Sequence, residues 1–219
     1  MNTFHVEPQG APLVIDLGDG YQCTKLSVGP MDNNAYLLTP PSGPSVLIDA
    51  PAEAERLLEL VGGRDVATLV TTHQHHDHIG ATAAVAEATG ADLVCGEPDR
   101  AAIEAGTGTQ QRGVWDGDSI ALSDTALSVV GLVGHTPGSI ALVFQPGSGA
   151  THVWSGDCLF PGGAGRVSNP EEFDSLMTGL ETKIFGAFPD ETIIHPGHGD
   201  STTLGVERPH LSEWRERGW

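Results

Sequence analysis

Ten consecutive residues, Thr71-Thr72-His73-Gln74-His75-His76-Asp77-His78-Ile79-Gly80, narrow the options for this chain more than any other stretch. They follow the apolar run Val66 to Val70 and precede the small-residue run Ala81 to Ala88. The order predicted is therefore strand, polar turn, helix. Inside the turn stands His73-x-His75-x-Asp77-His78. Neutral imidazoles with a carboxylate are a ligand set that suits zinc, iron or manganese, and four of them on one short loop can serve two neighbouring ions. The competing reading is a polar surface loop that happens to be rich in histidine. Clustered histidines need partners that such a loop lacks.

At 219 residues, the chain can bury a sizeable core, and 39% hydrophobic residues suit a globular protein. Against 29 Asp and Glu there are 10 Lys and Arg, a formal net charge of −19. That balance argues against a nucleic-acid partner, because phosphate contacts need basic side chains, and against anionic membranes. No apolar run is long enough to span a bilayer. Met1 to Gly10 lacks a basic start followed by an apolar core, so no signal peptide is expected. Cys23, Cys95 and Cys158 are odd in number and widely spaced, which is no disulfide framework, and a cytoplasmic location is expected.

Read in order, Leu13 to Asp49 predicts short strands cut by Gly, Pro, Asn and Asp. Asp49 ends the fourth of these and is either a helix cap or part of a site. Ala52 to Val61 predicts a helix stopped at Gly62-Gly63, and Ala81 to Thr89 a second closed by Gly90. Strand and helix alternate here, which indicates an α/β layer. Gln110 to Phe144 returns to strands, His152 to Ser155 adds another, and Leu159 to Val167 reads as a glycine-rich loop. Asn169 caps a predicted helix over Pro170 to Phe185. Thr192-Ile193-Ile194 is a last buried strand, and Leu204 to Trp219 reads as a short amphipathic helix. Asp49, the histidine loop, His135, Asp157 and His198 each directly follow a predicted strand. A sheet scaffold assembles a site from distant sequence in this way.

Taken together, Asp49, His73-x-His75-x-Asp77-His78, His135, Asp157 and His198, in that order, resemble the metallo-β-lactamase superfamily. The resemblance implies one hydrolase domain over residues 1–219, an αββα sandwich of two mixed sheets flanked by helices, with the site at one edge. It implies two divalent metal ions, zinc first with iron or manganese as options. His73, His75 and His135 would hold one ion, and Asp77, His78 and His198 the other, with Asp157 bridging. Asp77 would also orient a metal-bridging hydroxide, and Asp49 would steady a ligand loop. His76 and His195 would fill space or hydrogen-bond nearby, and Cys158 would point elsewhere.

Asp32-Asn33-Asn34-Ala35-Tyr36-Leu37-Leu38, Gly134-His135-Thr136-Pro137-Gly138-Ser139, Gly156-Asp157-Cys158-Leu159-Phe160 and Ala164-Gly165-Arg166 are similar to the glyoxalase II-like hydrolases. That group cleaves S-acyl thioesters such as S-lactoylglutathione, so a small-molecule thioester is the expected substrate and Arg166 a candidate to bind it. Only Gly199 to Trp219 follows His198, which is similar to short relatives lacking the helical glutathione-binding domain. The nearest alternative on this scaffold is a persulfide dioxygenase using one iron on His73, His135 and Asp157. A lactonase and an inactive metal-binding module follow. The sequence leaves the oligomeric state open.

Overall fold

The computed structural model describes residues 4–218. A seven-stranded first sheet lies in chain order: β1 (Leu13–Gly18), β2 (Tyr21–Val28), β3 (Asn33–Thr39), β4 (Ser45–Ile48), β5 (Val66–Thr71), β6 (Asp92–Gly96) and β7 (Arg112–Val114). β1 to β4 pair antiparallel, and β4 to β7 pair parallel. Parallel neighbours need crossovers. These are α1 (Ala54–Val61), then α2 (His76–Ile79) with α3 (Thr82–Thr89), then α4 (Arg100–Thr107).

The second sheet takes β8 (Ser119–Leu122), β9 (Thr125–Gly131), β10 (Ile140–Phe144) and β11 (His152–Gly156). A small hairpin follows, β12 (Leu159–Phe160) with β13 (Gly163–Ala164), and then α5 (Pro170–Gly179). β14 (Ile193–Pro196) and β15 (Thr202–Thr203) complete the sheet in the order β15-β14-β11-β10-β9-β8. β11 and β14 are parallel and the other neighbours antiparallel. The chain closes with α6 (Leu204–Glu207) and α7 (Leu211–Arg217).

Strand periodicity of two divides the apolar side chains between faces. Tyr36 and Leu38 of β3, Val46 and Ile48 of β4, Leu142 and Phe144 of β10 and Trp154 of β11 share the core between the sheets. Their neighbours Ala35, Leu37 and Leu47 face outward and pack with Leu57, Leu60 and Val61 of α1 and Val85 of α3. On the other side, Ala141, Val143 and Val153 pack with Phe173, Leu176 and Met177 of α5 and Trp214 of α7. Each fully buried Leu or Phe is worth about 1.5–3 kcal/mol, and strands apolar on both faces need this double covering. The layers are helix, sheet, sheet, helix, as the resemblance implied.

Local signals act as expected at several ends. The Gly62 N–H closes α1 on the Leu58 carbonyl, with Gly62 at φ 59°. The Asn169 side chain accepts from the Glu172 N–H at 2.8 Å and starts α5.

Three expectations need correction. Residues 159–167 hold the β12–β13 hairpin rather than a plain loop, because Leu159 and Phe160 pair with Ala164 and Gly163. The helix from Pro170 widens at Leu180 and runs on to Phe185 as a π-helical turn, with Gly186 N–H bonded to the Glu181 carbonyl. The carboxyl-terminal segment is three pieces, since Pro209 lacks an N–H and sits in a 3₁₀ turn, Arg208–His210, between α6 and α7. No helix among the described residues is long and apolar enough to cross a membrane.

The loops after β4, β5, β11 and β14 and the loop joining β9 to β10 converge at one edge of the sandwich. Two backbone bonds tie the sheets together there: Ile140 N–H to the Thr72 carbonyl at 3.0 Å, and Asn34 N–H to the Gly197 carbonyl at 2.7 Å.

Candidate metal centre

At that edge six side chains from three distant loops come together with Asp157. The ligand-type atoms of His73, His75 and His135 lie within 4.8 Å of one another, as do those of Asp77, His78 and His198. A third group, His73, His78 and Asp157, links the two. Asp157 Oδ1 stands 3.4 Å from His78 Nε2, and Oδ2 stands 3.3 Å from His198 Nε2, 3.7 Å from His135 Nε2 and 4.0 Å from His73 Nε2. The structure thus brings the seven residues nominated as metal ligands to one place.

The imidazoles are held from behind. His135 Nδ1–H donates to the Arg166 carbonyl at 2.6 Å, and His198 Nδ1–H to the Met31 carbonyl at 2.8 Å. His78 Nδ1 meets Asp49 Oδ2 at 2.9 Å, and His73 Nδ1 meets Thr72 Oγ1 at 3.1 Å. Thr72 Oγ1–H is already given to Asp49 Oδ2 at 2.8 Å, so it accepts from His73. These partners assign Nδ1–H and leave four Nε2 atoms aimed inward. His75 turns its Nδ1 inward instead, 3.1 Å from His73 Nε2.

These atoms fit divalent cations. Ligands about 2.0–2.1 Å from a tetrahedral ion lie about 3.3 Å apart. His78 Nε2 and His198 Nε2 are 3.1 Å apart, and Asp77 Oδ2 is 3.4 Å from His198 Nε2. His135 Nε2 and Asp157 Oδ1 are buried without a hydrogen-bond partner, which is costly unless a cation engages them.

The electrostatics follow from crowding. Burial opposes charge on Asp157, yet the His198 and His78 imidazoles beside it hold its carboxyl far below the usual range. Burial also disfavours His78 imidazolium, but Asp157 and Asp49 outweigh it and push the ring up to about 10. Burial, reinforced by the neighbouring His78, drives His73 well below its ordinary value. A cation entering beside His78 must displace a proton, so its affinity falls as pH falls.

Two side chains that sequence reasoning gave no role also touch the cluster. The Asn33 amide donates to Asp77 Oδ2 and to the Asp77 carbonyl, both at 3.0 Å. Asp99, fully buried, joins the histidine loop to the His135 loop. Asn33 lay within a family-like stretch, whereas Asp99 carried no signal. His76 was expected to pack or hydrogen-bond. Its side chain is instead 91% exposed, on the outer side of the one-turn α2, whose buried residues are His78 and Ile79. His195 is buried and bonded to His152 and Ser201, and Cys158 is buried beside the Leu132 carbonyl. Asp49 is no helix cap: Glu53 holds the position before α1.

Two adjoining clefts open on the cluster. One of about 290 Å³ is lined by Gln74, His75, Val133, His135, Thr136 and Glu172 among others. The other, of about 440 Å³, is lined by His75, His135, Arg166, Val167 and Ser168.

Similarity to known proteins agrees with this geometry. The chain is 35% identical over 168 residues to the hydroxyacylglutathione hydrolase of Polaromonas sp., covering 75% of this chain and 61% of that one. It is 29% identical to the hydroxyacylglutathione hydrolase GloC of Haemophilus influenzae, over 84% of this chain and 93% of the relative. Among solved structures, TTHA1623 in a di-iron-bound form superposes with a TM-score of 0.68 at 32% identity, covering 84% of this chain and 96% of that one. Residues 28–198 match the Metallo-beta-lactamase superfamily, and with that span the chain belongs to it.

Proposed function

We propose that this metal-dependent hydrolase cleaves S-acyl thioesters of a small thiol, releasing an acid and the free thiol. The observation that carries the reading is the pair of ligand groups, His73/His75/His135 and Asp77/His78/His198, with Asp157 between them. Relatives named hydroxyacylglutathione hydrolase support the substrate class. Because the chain spans 61% of the first of these, the thiol half of the substrate is carried over less far than the hydrolytic centre.

The two groups would each hold one divalent cation, zinc or iron, with Asp157 shared. When bound, the cations would lower the pKa of a water toward neutrality and polarise the thioester carbonyl. The protein's own part is orientation. His73, His78, His135 and His198 present fixed Nε2 atoms because carbonyl, hydroxyl and carboxylate partners hold each Nδ1. Asp77, braced by Asn33, would accept a proton from the attacking water at its carboxylate. Arg166 lines the larger cleft and would attract an anionic end of the substrate, such as the carboxylate of a thiol peptide. Residues 1–219 would act as one hydrolase domain. Three free, buried cysteines suit a reducing, cytoplasmic setting.

The first test is metal content per chain in protein purified without added metal, followed by a thioester panel read by thiol release. Two tightly held ions and thiol release support the proposal. One iron per chain without hydrolysis favours the persulfide dioxygenase, and no retained metal overturns both.

A further inference from the structure

Asp99 is a carboxylate at the core of the molecule whose role no sequence motif announces. It closes the 3₁₀ turn Glu97–Asp99 after β6 and is 0% exposed. Its Oδ2 accepts from the Gln74 N–H at 3.0 Å and from the Thr136 hydroxyl at 2.6 Å. Its Oδ1 accepts from the Gly138 N–H at 2.7 Å. Gln74 lies between His73 and His75, and Thr136 follows His135. One side chain therefore spans the two loops that carry His73, His75 and His135.

The packing around it is specific. A Cβ on Gly138 would stand 2.8 Å from the Asp99 Cβ, so the loop runs this close only as glycine. Thr136 Oγ1 also lies 2.6 Å from Ser139 Oγ, which closes the loop on itself at the same point. The other ligand group is braced by different atoms: Asp49 behind His78, the Met31 carbonyl behind His198, and Asn33 behind Asp77.

We infer that Asp99 is a positioning residue for one metal ion only, fixing the spacing of His73 and His75 against His135. The inference rests on the proposal that these three histidines hold an ion. A buried carboxylate bonded to three donors resists displacement, because each donor left unpaired in the interior loses its partner without gaining water. Asn at this position keeps the shape but presents NH₂ where an oxygen accepts. Whichever way the amide turns, a backbone N–H faces another N–H, either at Gln74 or at Gly138.

The test measures zinc affinity by chelator competition in two backgrounds. H198A leaves His73, His75 and His135, whereas H135A leaves Asp77, His78 and His198. D99N is expected to weaken zinc binding roughly 10–100-fold in the H198A background. In the H135A background it should change affinity less than about threefold by the same reasoning. T136V, which removes one of the three donors, should give a smaller loss confined to the H198A background and guards against misfolding of D99N. Equal weakening in both backgrounds, or none in either, overturns the inference while leaving the proposed function standing. If the parent protein binds no zinc or iron, the proposed function falls and the inference with it.

Discussion

Gly197 stands one residue before His198, and its missing side chain leaves room for the side chains of two candidate ligands, Asp157 and His78. A Cβ there would lie 2.7 Å from His78 Cε1 and closer still to Asp157 Oδ1. Ordinary contact begins near 3.4 Å, so in Gly197→Ala the His78 ring must retreat by about 0.7 Å and the carboxylate by more. Metal–ligand distances tolerate about 0.2 Å. The displacement is several times that tolerance and falls on the residue between the two ligand groups. Overpacking of this kind costs roughly 1–3 kcal/mol. At about 1.4 kcal/mol per decade, zinc affinity should fall roughly 5–150-fold. Zinc competition titration on wild type and G197A measures this, with circular dichroism confirming the fold and thiol release following activity. A variant that binds two zinc ions as tightly as wild type, with unchanged hydrolysis, would refute the reasoning.

Four further outcomes follow from named contacts. Asn33→Ala removes two hydrogen bonds to Asp77, one of them to its carboxylate, and should lower kcat/KM for thioester hydrolysis roughly 10–100-fold, read by thiol release. Arg166→Ala should raise KM for an anionic thioester about tenfold with kcat little changed, as loss of uniform binding does. Chelation of the metal should lower Tm by roughly 10 °C, taking about 4 kcal/mol of linkage at a thousandfold excess over Kd. His152 is buried, and burial lowers its pKa to about 4 from 6.5. Between those values the unfolded chain binds more protons than the folded one, so stability falls as pH drops through this window. The loss should be about 2 kcal/mol from pH 7 to pH 5. Urea unfolding of His152→Gln should show a pH dependence smaller by that amount, and an identical dependence would refute the assignment.

The ligand groups were legible because the nominated residues lie in the segments that leave β5, β9, β11 and β14, and strand ends of a sandwich gather at its edges. Asp49 was ambiguous for a physical reason. A carboxylate after a strand and before a helix serves equally as a cap or a brace, and only its bonds to Thr72 and His78 decide. Asp99 was illegible because Glu97-Pro98-Asp99 reads as the opening of a helix, while its partners at Gln74, Thr136 and Gly138 are 25 to 39 residues away. The β12–β13 hairpin was hidden by its glycines. The break at Pro209 could have been read from the proline itself.

The His198 loop shows why so little of the site's support is local. It leaves the second sheet at Pro196 but is bonded to the first. Tyr36 Oη donates to the Pro196 carbonyl at 2.7 Å, and the Asn34 amide donates to the Pro196 and Gly199 carbonyls at 2.9 and 3.0 Å. Lys25, wholly buried, adds its ammonium to the Gly199 carbonyl at 2.5 Å. Burial lowers the Lys25 pKa to about 8, so this cation is held at a cost that its carbonyl partners offset. These three side chains and their four bonds come from β2 and β3, whose apolar residues also fill the core between the sheets. The packing that joins the sheets and the bonds that aim His198 at Asp77 and His78 therefore belong to the same two strands. A change that shifts β2 or β3 within the core will move His198, and a shift of β3 will also move Asp77 through the Asn33 amide.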